Sequence, residues 1–178
     1  MIIGILKESL PEKRVALLPE GVAQLIKLKA EVMVETGAGT TAFASDADYQ
    51  KIGAVIENKA NVIAKADVLL RVVSPDNQEI ASYRKGQVLV GGLNPLINKD
   101  QIKQIEAQGV SSFSLDFIPR TTRAQAMDIL SSMATVSGYK AVLDAALHLP
   151  RFFPMFMSAA GTIKPAKMLI LGAGVAGL

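Results

Sequence analysis

The sequence predicts an α/β protein: a parallel sheet of βαβ units with helices on its faces, a long connecting helix, and the first strand of a second domain cut short. Three observations carry this. Short apolar, β-like runs alternate with amphipathic stretches as far as Asp116, and the loops between them are short. A sustained helical pattern follows. The chain then closes on "LILGAGVAGL", an apolar run that enters a glycine turn.

The elements follow in order. "IIGIL" (Ile2–Leu6) is a strand, and Pro19 opens a helix in "PEGVAQLIKLKA", with Val22, Leu25 and Ile26 on one side. "EVMVETGAG" (Glu31–Gly39) reads as a strand running into a glycine turn. In "ASDADYQKIG", Ser45 is the N-cap and Gly53 the stop of a helix. "AVIE" and "DVLLRVV" (Asp67–Val73) are strands on either side of the helical "NKANVIAKA". Ser74-Pro75 is expected to cap another helix ending near Gly86. "QVLVGG" (Gln87–Gly92) is a strand, Asn98–Gly109 a helix and "VSSFSLD" a further strand. "FIPRTTR" is a loop, after which "AQAMDILSSMATVSGYKAVLDAALHL" keeps helical character for about seven turns. "PRFFPMFMSAAGTIKPA" mixes prolines, glycine and large apolar residues, and "KMLIL" is the strand before the glycine turn. Residues 1–120 thus form an N-terminal α/β domain, 121–165 a connecting segment, and 166–178 the start of a second, truncated α/β domain.

Composition agrees with a buried parallel sheet. Half of the 178 residues are hydrophobic, a fifth are charged and mean hydropathy is +0.32, as expected of strands apolar on both faces. No run approaches the roughly 18 uninterrupted apolar residues of a membrane span. The surplus suits surfaces that cover a partner or another piece of the same fold. Cysteine is absent, which excludes disulfides and thiolate chemistry and leans toward a cytosolic setting. "MIIGILKES" has no basic region followed by a long apolar core, so no signal peptide is expected. The net charge of +3 is scattered and aromatics make up only 5% of residues without interleaving basic ones, which argues against nucleic acid.

Two stretches carry chemistry. Gly172, Gly174 and Gly177 after an apolar run fit the dinucleotide fingerprint G-x-G-x-x-G of Rossmann-like folds, whose glycines let backbone approach a pyrophosphate. Glycine turns also follow strands in other settings. The helix and the acidic residue about 20 positions on, which would confirm it, fall beyond Leu178. In "PRTTRAQAMDILSS", Gln125, Asp128 and Ser131 stand at i, i+3 and i+6, so a helix stacks them on one face, with Arg120 and Arg123 just before. An amide, a carboxylate and a hydroxyl in line can hold a planar polar group such as a carboxamide. A solvated helix face with Asp128 favoured by the helix dipole is the plainer alternative.

Other groups offer less. His148 is the only histidine, at the end of an apolar helical run, and without cysteine no zinc site is expected and no metal is required. Glu8, Glu12, Lys13 and Arg14 read as a solvated loop cluster. Arg14, or Arg71 at a strand end, can serve an anion. "RFFPMFM" suits packing against a neighbouring domain or subunit, with a membrane-touching patch as the alternative.

"GILKES", then "EKRVALLPEGVAQL" and "VMVETGAG", resembles the N-terminal domain shared by alanine dehydrogenases and the α subunit of proton-translocating NAD(P) transhydrogenase. "PRTTRAQAMDILSSMATVSGYKAV" followed by "TIKPAKMLILGAGVAGL" looks specifically like the NAD(H)-binding domain of that α subunit. The resemblance covers essentially the whole chain. An alanine dehydrogenase would need a lysine after the "LLRV" strand and a catalytic histidine after the next one; Val73 and Asn94 stand there instead. Interconverting alanine and pyruvate needs a proton-transfer group. Hydride exchange between two nicotinamides needs orientation and exclusion of water.

The resemblance implies that Arg120, Gln125 and Asp128 serve the reaction, and that Arg120, Thr121, Thr122, Arg123, Gln125, Asp128 and Ser131 contact the nicotinamide end of NAD(H). Tyr139 would join them from the same helix. Gly172, Gly174, Val175, Ala176 and Gly177 would lie under the pyrophosphate. It further implies a homodimer on the cytoplasmic or matrix side, docked onto a partner domain that binds NADP(H) and belongs to a membrane-embedded subunit, toward which Gln125 would face. By the same resemblance the first domain is completed by chain returning after the nucleotide domain, so a chain ending at Leu178 is expected to be inactive alone. Amino-acid oxidoreduction and an inert, self-associating module are the alternatives.

Overall fold

Alternation along each strand decides which residues enter which side of the sheet. In β1 (Ile2–Ile5), Ile3 and Ile5 join one buried cluster, while Leu6 just beyond joins the other. The computed structural model describes Met1–Leu178 and divides into two compact units, Met1–Ile118 and Pro119–Leu178.

The first unit is a six-stranded sheet in the order β3-β2-β1-β4-β5-β6, every pair parallel. The remaining strands are β2 (Glu31–Glu35), β3 (Val55–Glu57), β4 (Val68–Val73), β5 (Val88–Gly92) and β6 (Ser111–Ser114). The order reverses between β1 and β4, as in doubly wound nucleotide-binding folds. Helices α1 (Pro19–Lys27) and α2 (Asp46–Lys51) cover one face over Ile3, Ile5, Val32 and Val34, adding Val22 and Tyr49. Helices α3 (Lys59–Lys65), α4 (Asn77–Ala81) and α5 (Lys99–Ala107) cover the other over Leu6, Leu69 and Leu89, adding Val62, Ile63, Ile80 and Ile105. Each such aliphatic side chain contributes about 1.5–3 kcal/mol when fully buried. Beyond β1, the α1–α2 face is thinly covered: Val90 pairs with Phe113, and Phe113 is 61% exposed.

Helix starts follow local chemistry. Ser45 closes a capping box with Asp48, and Asn58 accepts the Asn61 N–H at 2.9 Å. The helix expected to be capped at Ser74-Pro75 starts later. Asp76 is the cap of α4, accepting the Glu79 N–H at 2.8 Å, while the Ser74 hydroxyl is buried without a partner. That helix also ends at Ala81 rather than near Gly86. A tight turn from Arg84 to Gln87 then feeds β5, with the Arg84 N–H bonded to the Gln87 side chain at 2.6 Å.

The second unit holds α6 (Ile129–His148) and an antiparallel hairpin of β7 (Phe156–Ser158) and β8 (Gly161–Ile163). The long helical pattern therefore begins later than its periodicity suggests. Gln125–Met127 forms a separate 3-10 turn, and the Asp128 side chain takes the first helical N–H groups and starts α6 afresh. The hairpin, with Phe152 stacked on Phe156 at 5.3 Å between ring centres, was not expected. The predicted strand "KMLIL" (Lys167–Leu171) forms no ladder: no neighbouring strand pairs with its backbone, and Leu169 and Leu171 are exposed.

Candidate functional site

The fingerprint glycines occupy three different environments. Gly172 sits at φ +120°, a backbone conformation that side chains rarely tolerate. In front of Gly174 a side chain would meet nothing within 4 Å. At Gly177 it would overlap the Gly172 carbonyl oxygen and come within 3.4 Å of Ile170. The N–H groups of Gly177 and Leu178 both reach the Gly174 carbonyl, at 2.9 and 3.1 Å, which closes a hydrogen-bonded turn from Gly174 to Leu178. A turn whose first glycine takes a conformation open to glycine, unobstructed at its second and tightly closed at its third suits an anionic group approaching backbone.

On the other stretch, Asp128 Oδ1 accepts the N–H groups of Leu130 and Ser131 at 2.9 and 3.1 Å, and Oδ2 accepts the Ser131 hydroxyl at 2.7 Å. These hydrogen bonds, that hydroxyl's above all, hold the Asp128 carboxyl below its usual range despite some burial, and nearby Arg120 adds to the effect. The expected helix face is thereby corrected. Asp128 and Ser131 are joined, but Gln125 lies in the preceding 3-10 turn, exposed, and does not stack with them. Its turn breaks the helical register at Asp128. Arg120, Thr121, Thr122 and Arg123 are exposed in the loop before it, and Tyr139 is 70% exposed on α6. His148 ends α6, its Nδ1 2.9 Å from the Asp144 carbonyl.

In the first unit, the reversal point between β1 and β4 is where open α/β sheets place ligands. There Glu8, expected to be solvated, is buried, whereas Lys13 and Arg14 of the same loop are exposed. Glu8, just after β1, binds Arg71 Nη2 at 2.9 Å and the Val72 N–H at 2.6 Å. Arg71 also pairs with Glu79, whose other oxygen meets Lys59 at 2.5 Å, and the Tyr83 hydroxyl donates to Glu79 at 2.6 Å. Burial opposes the charges, but the two carboxylates outweigh it and raise the Arg71 pKa, while Arg71, Lys59 and Tyr83 together lower that of Glu79. Burial and the neighbouring Glu79 push Tyr83 up. The two terminal nitrogens of Arg71 are therefore committed to internal partners, while its Nε is buried without one. The arginine's place in an otherwise apolar strand was the available signal, since a buried charge needs a partner. Arg14 is half exposed and bound to Glu12 at 2.7 Å, which draws the Glu12 pKa down to about 2. Val73 ends β4, and Asn94 follows β5 at φ +46°; neither side chain transfers a proton at neutral pH.

No group of three His, Cys, Asp or Glu residues forms a metal cluster, and no helix is long and apolar enough to cross a membrane.

The chain resembles known proteins along its whole length. It is 41% identical over 179 residues to the NAD(P) transhydrogenase subunit alpha of Haemophilus influenzae, covering all of this chain and 35% of that one. The crystal structure of a transhydrogenase from Sinorhizobium meliloti superimposes with a TM-score of 0.96 at 44% identity, covering 99% of this chain and 53% of the other. The alanine dehydrogenase of Mycolicibacterium smegmatis is 33% identical over 182 residues, covering 99% of this chain and 48% of that one. The chain thus spans between about a third and about a half of the length of these relatives. The pattern described as "Alanine dehydrogenase/PNT, N-terminal domain" matches residues 4–137, and that of the corresponding C-terminal domain matches 141–178. The chain belongs to the alanine dehydrogenase/PNT family.

Proposed function

We propose that this chain is the N-terminal portion of the NAD(H)-binding part of an NAD(P) transhydrogenase, and that it orients NAD(H) for direct hydride transfer to NADP(H) held on a partner domain. The observation that carries this is the chemistry at the ends of β4 and β5, where Val73 and Asn94 leave no imidazole or amine to move a proton. NAD(H), when bound, supplies the hydride carrier. The residues present fit it: the open space in front of Gly174 admits a pyrophosphate, which a β-carbon there would obstruct.

In this reading the backbone of Gly172–Gly177 holds the pyrophosphate. Arg120 and the exposed Gln125 side chain, with the Asp128–Ser131 pair behind them, orient the nicotinamide carboxamide. Thr121, Thr122, Arg123 and Tyr139 border it. Gln125 faces the incoming NADP(H) domain, and the chain works as a homodimer beside a membrane subunit, on its cytoplasmic side, where proton translocation is coupled. The domain organisation belongs to the same proposal: an N-terminal α/β domain to residue 120, the contact segment and helices of 121–165, and the start of a nucleotide domain from 166.

The similarity to alanine dehydrogenases supports amino-acid oxidoreduction as a second reading. Stopped-flow NADH titration and NADH–NADP⁺ exchange in the complete protein test the first reading. NADH oxidation that requires pyruvate and ammonium would support the second instead.

A further inference from the structure

Glycine is the poorest residue after proline inside a helix, yet Gly138 stands in the middle of the 20-residue α6. Its surroundings give the reason. A methyl group there would overlap the carbonyl oxygen of Ala176 and lie 3.0 Å from its carbon and 3.2 Å from its Cα. These are backbone atoms of the fingerprint turn, and no rotamer change moves them aside.

Seven residues separate Ser131 from Gly138. Two helical turns return to the same face, so the Asp128–Ser131 pair and the contact with Ala176 lie on one side of α6, roughly 10 Å apart along its axis. Ser131, Ala134 and Gly138 are partly buried, while Ser132, Met133, Thr135, Val136, Ser137 and Tyr139 are exposed, which marks that side. The turn is tied from Gly174 to Gly177 and Leu178 by hydrogen bonds, so a displacement at Ala176 is passed to the open space at Gly174.

We propose that Gly138 is a positioning residue: it sets the spacing between the glycine turn and the nicotinamide-contact segment by letting α6 touch the turn backbone to backbone. This rests on the reading of the site as NAD(H)-binding. A ligand held at both ends reacts efficiently only when the spacing matches, and a misplacement of about 1 Å costs on the order of 10²-fold in rate.

The test is Gly138→Ala in the complete enzyme with its NADP(H)-binding partner, with Ser137→Ala as control. NADH affinity, the rate of hydride transfer at saturating NADH, and the melting temperature are measured for each. Gly138→Ala is expected to weaken NADH binding and to slow the saturated transfer by about 10²-fold, and the control to change neither. A variant that melts lower but transfers at the wild-type rate when saturated would assign Gly138 to packing alone and overturn the proposal. If the variant does not fold, hydrogen exchange on the wild type decides. NADH should slow exchange in residues 134–142 together with Gly172–Leu178, and protection of the turn alone would overturn the proposal. Wild-type enzyme that fails to bind NADH would remove the reading of the site and this inference with it. Normal binding with an unaffected Gly138→Ala variant would remove this inference only.

Discussion

Replacing Arg71 by methionine removes the cation between two carboxylates and keeps only an unbranched apolar stem. The side chains of Arg71, Glu8 and Glu79 are 3%, 1% and 4% exposed, so no solvent compensates the loss. Lys59 remains for Glu79, but Glu8 keeps only the Val72 N–H. Breaking a buried pair of this kind costs about 3–5 kcal/mol. With a urea dependence of about 2 kcal/mol per molar for a chain this size, the unfolding midpoint at pH 7 should fall by about 2 M. The deficit should also depend on pH. In the wild type the Glu79 pKa is lowered, so its stabilisation is present above the unfolded carboxylate value and is lost as pH falls through the folded one. In the variant, Glu79 has lost Arg71, the partner that does most to hold its pKa down, so acidification costs the variant less than the wild type. Urea unfolding at pH 7 and pH 5 should therefore show the gap between the two proteins narrowing at the lower pH. A deficit below about 1 kcal/mol, or a gap that widens on acidification, would refute the view that Arg71 compensates buried charge.

Gly174→Ala places a methyl group in open space, so it should leave the melting temperature unchanged while weakening NADH binding in the complete protein; Gly177→Ala overlaps the Gly172 carbonyl and should lower both. Gln125→Asn should slow NAD(H)–NADP(H) exchange in stopped flow while changing NADH affinity less, and unaltered exchange would remove Gln125 from the mechanism. Asp128 caps α6 as a carboxylate with a lowered pKa, so its contribution is present above the unfolded carboxylate value and lost as pH falls through the folded one. Circular dichroism should show Asp128→Asn retaining more helix than Asp128→Ala at pH 7. The Tyr49 hydroxyl donates to the Leu17 carbonyl at 2.8 Å, and burial pushes its pKa up to about 12; ultraviolet titration should leave it un-ionised at pH 10.

Much of the first unit was legible because parallel strands buried on both faces are apolar runs, as in "IIGI" and "VLLRVV", and because Ser45 and Gly53 mark helix ends by their own chemistry. Glu8 was not legible: a carboxylate in a polar loop looks solvated until a residue 63 positions on is brought beside it. Arg71 within an apolar strand was the clue that such a partner exists. The start of α6 was hidden because Ala124–Met127 fits helical periodicity, and only the side chain of Asp128 decides that the helix begins again after it. Their spacing pairs Asp128 with Ser131, but the same helical register puts Gln125 on their face, and the 3-10 turn breaks that register. The hairpin around Gly161 rests on pairing between two three-residue strands, too short for alternation to be read. The glycines of the fingerprint stood out by spacing, whereas Gly138 did not, because its reason is a contact with backbone 38 residues away.

The decisive measurement follows an isotope. In the complete protein with its NADP(H)-binding partner, NADH carrying deuterium at nicotinamide C4 is mixed with NADP⁺ in ordinary water, without pyruvate or ammonium. Orientation without proton transfer requires the deuterium to arrive at C4 of NADPH undiluted by solvent hydrogen. Label washed into water, or NADH consumption that waits for pyruvate and ammonium, would contradict it.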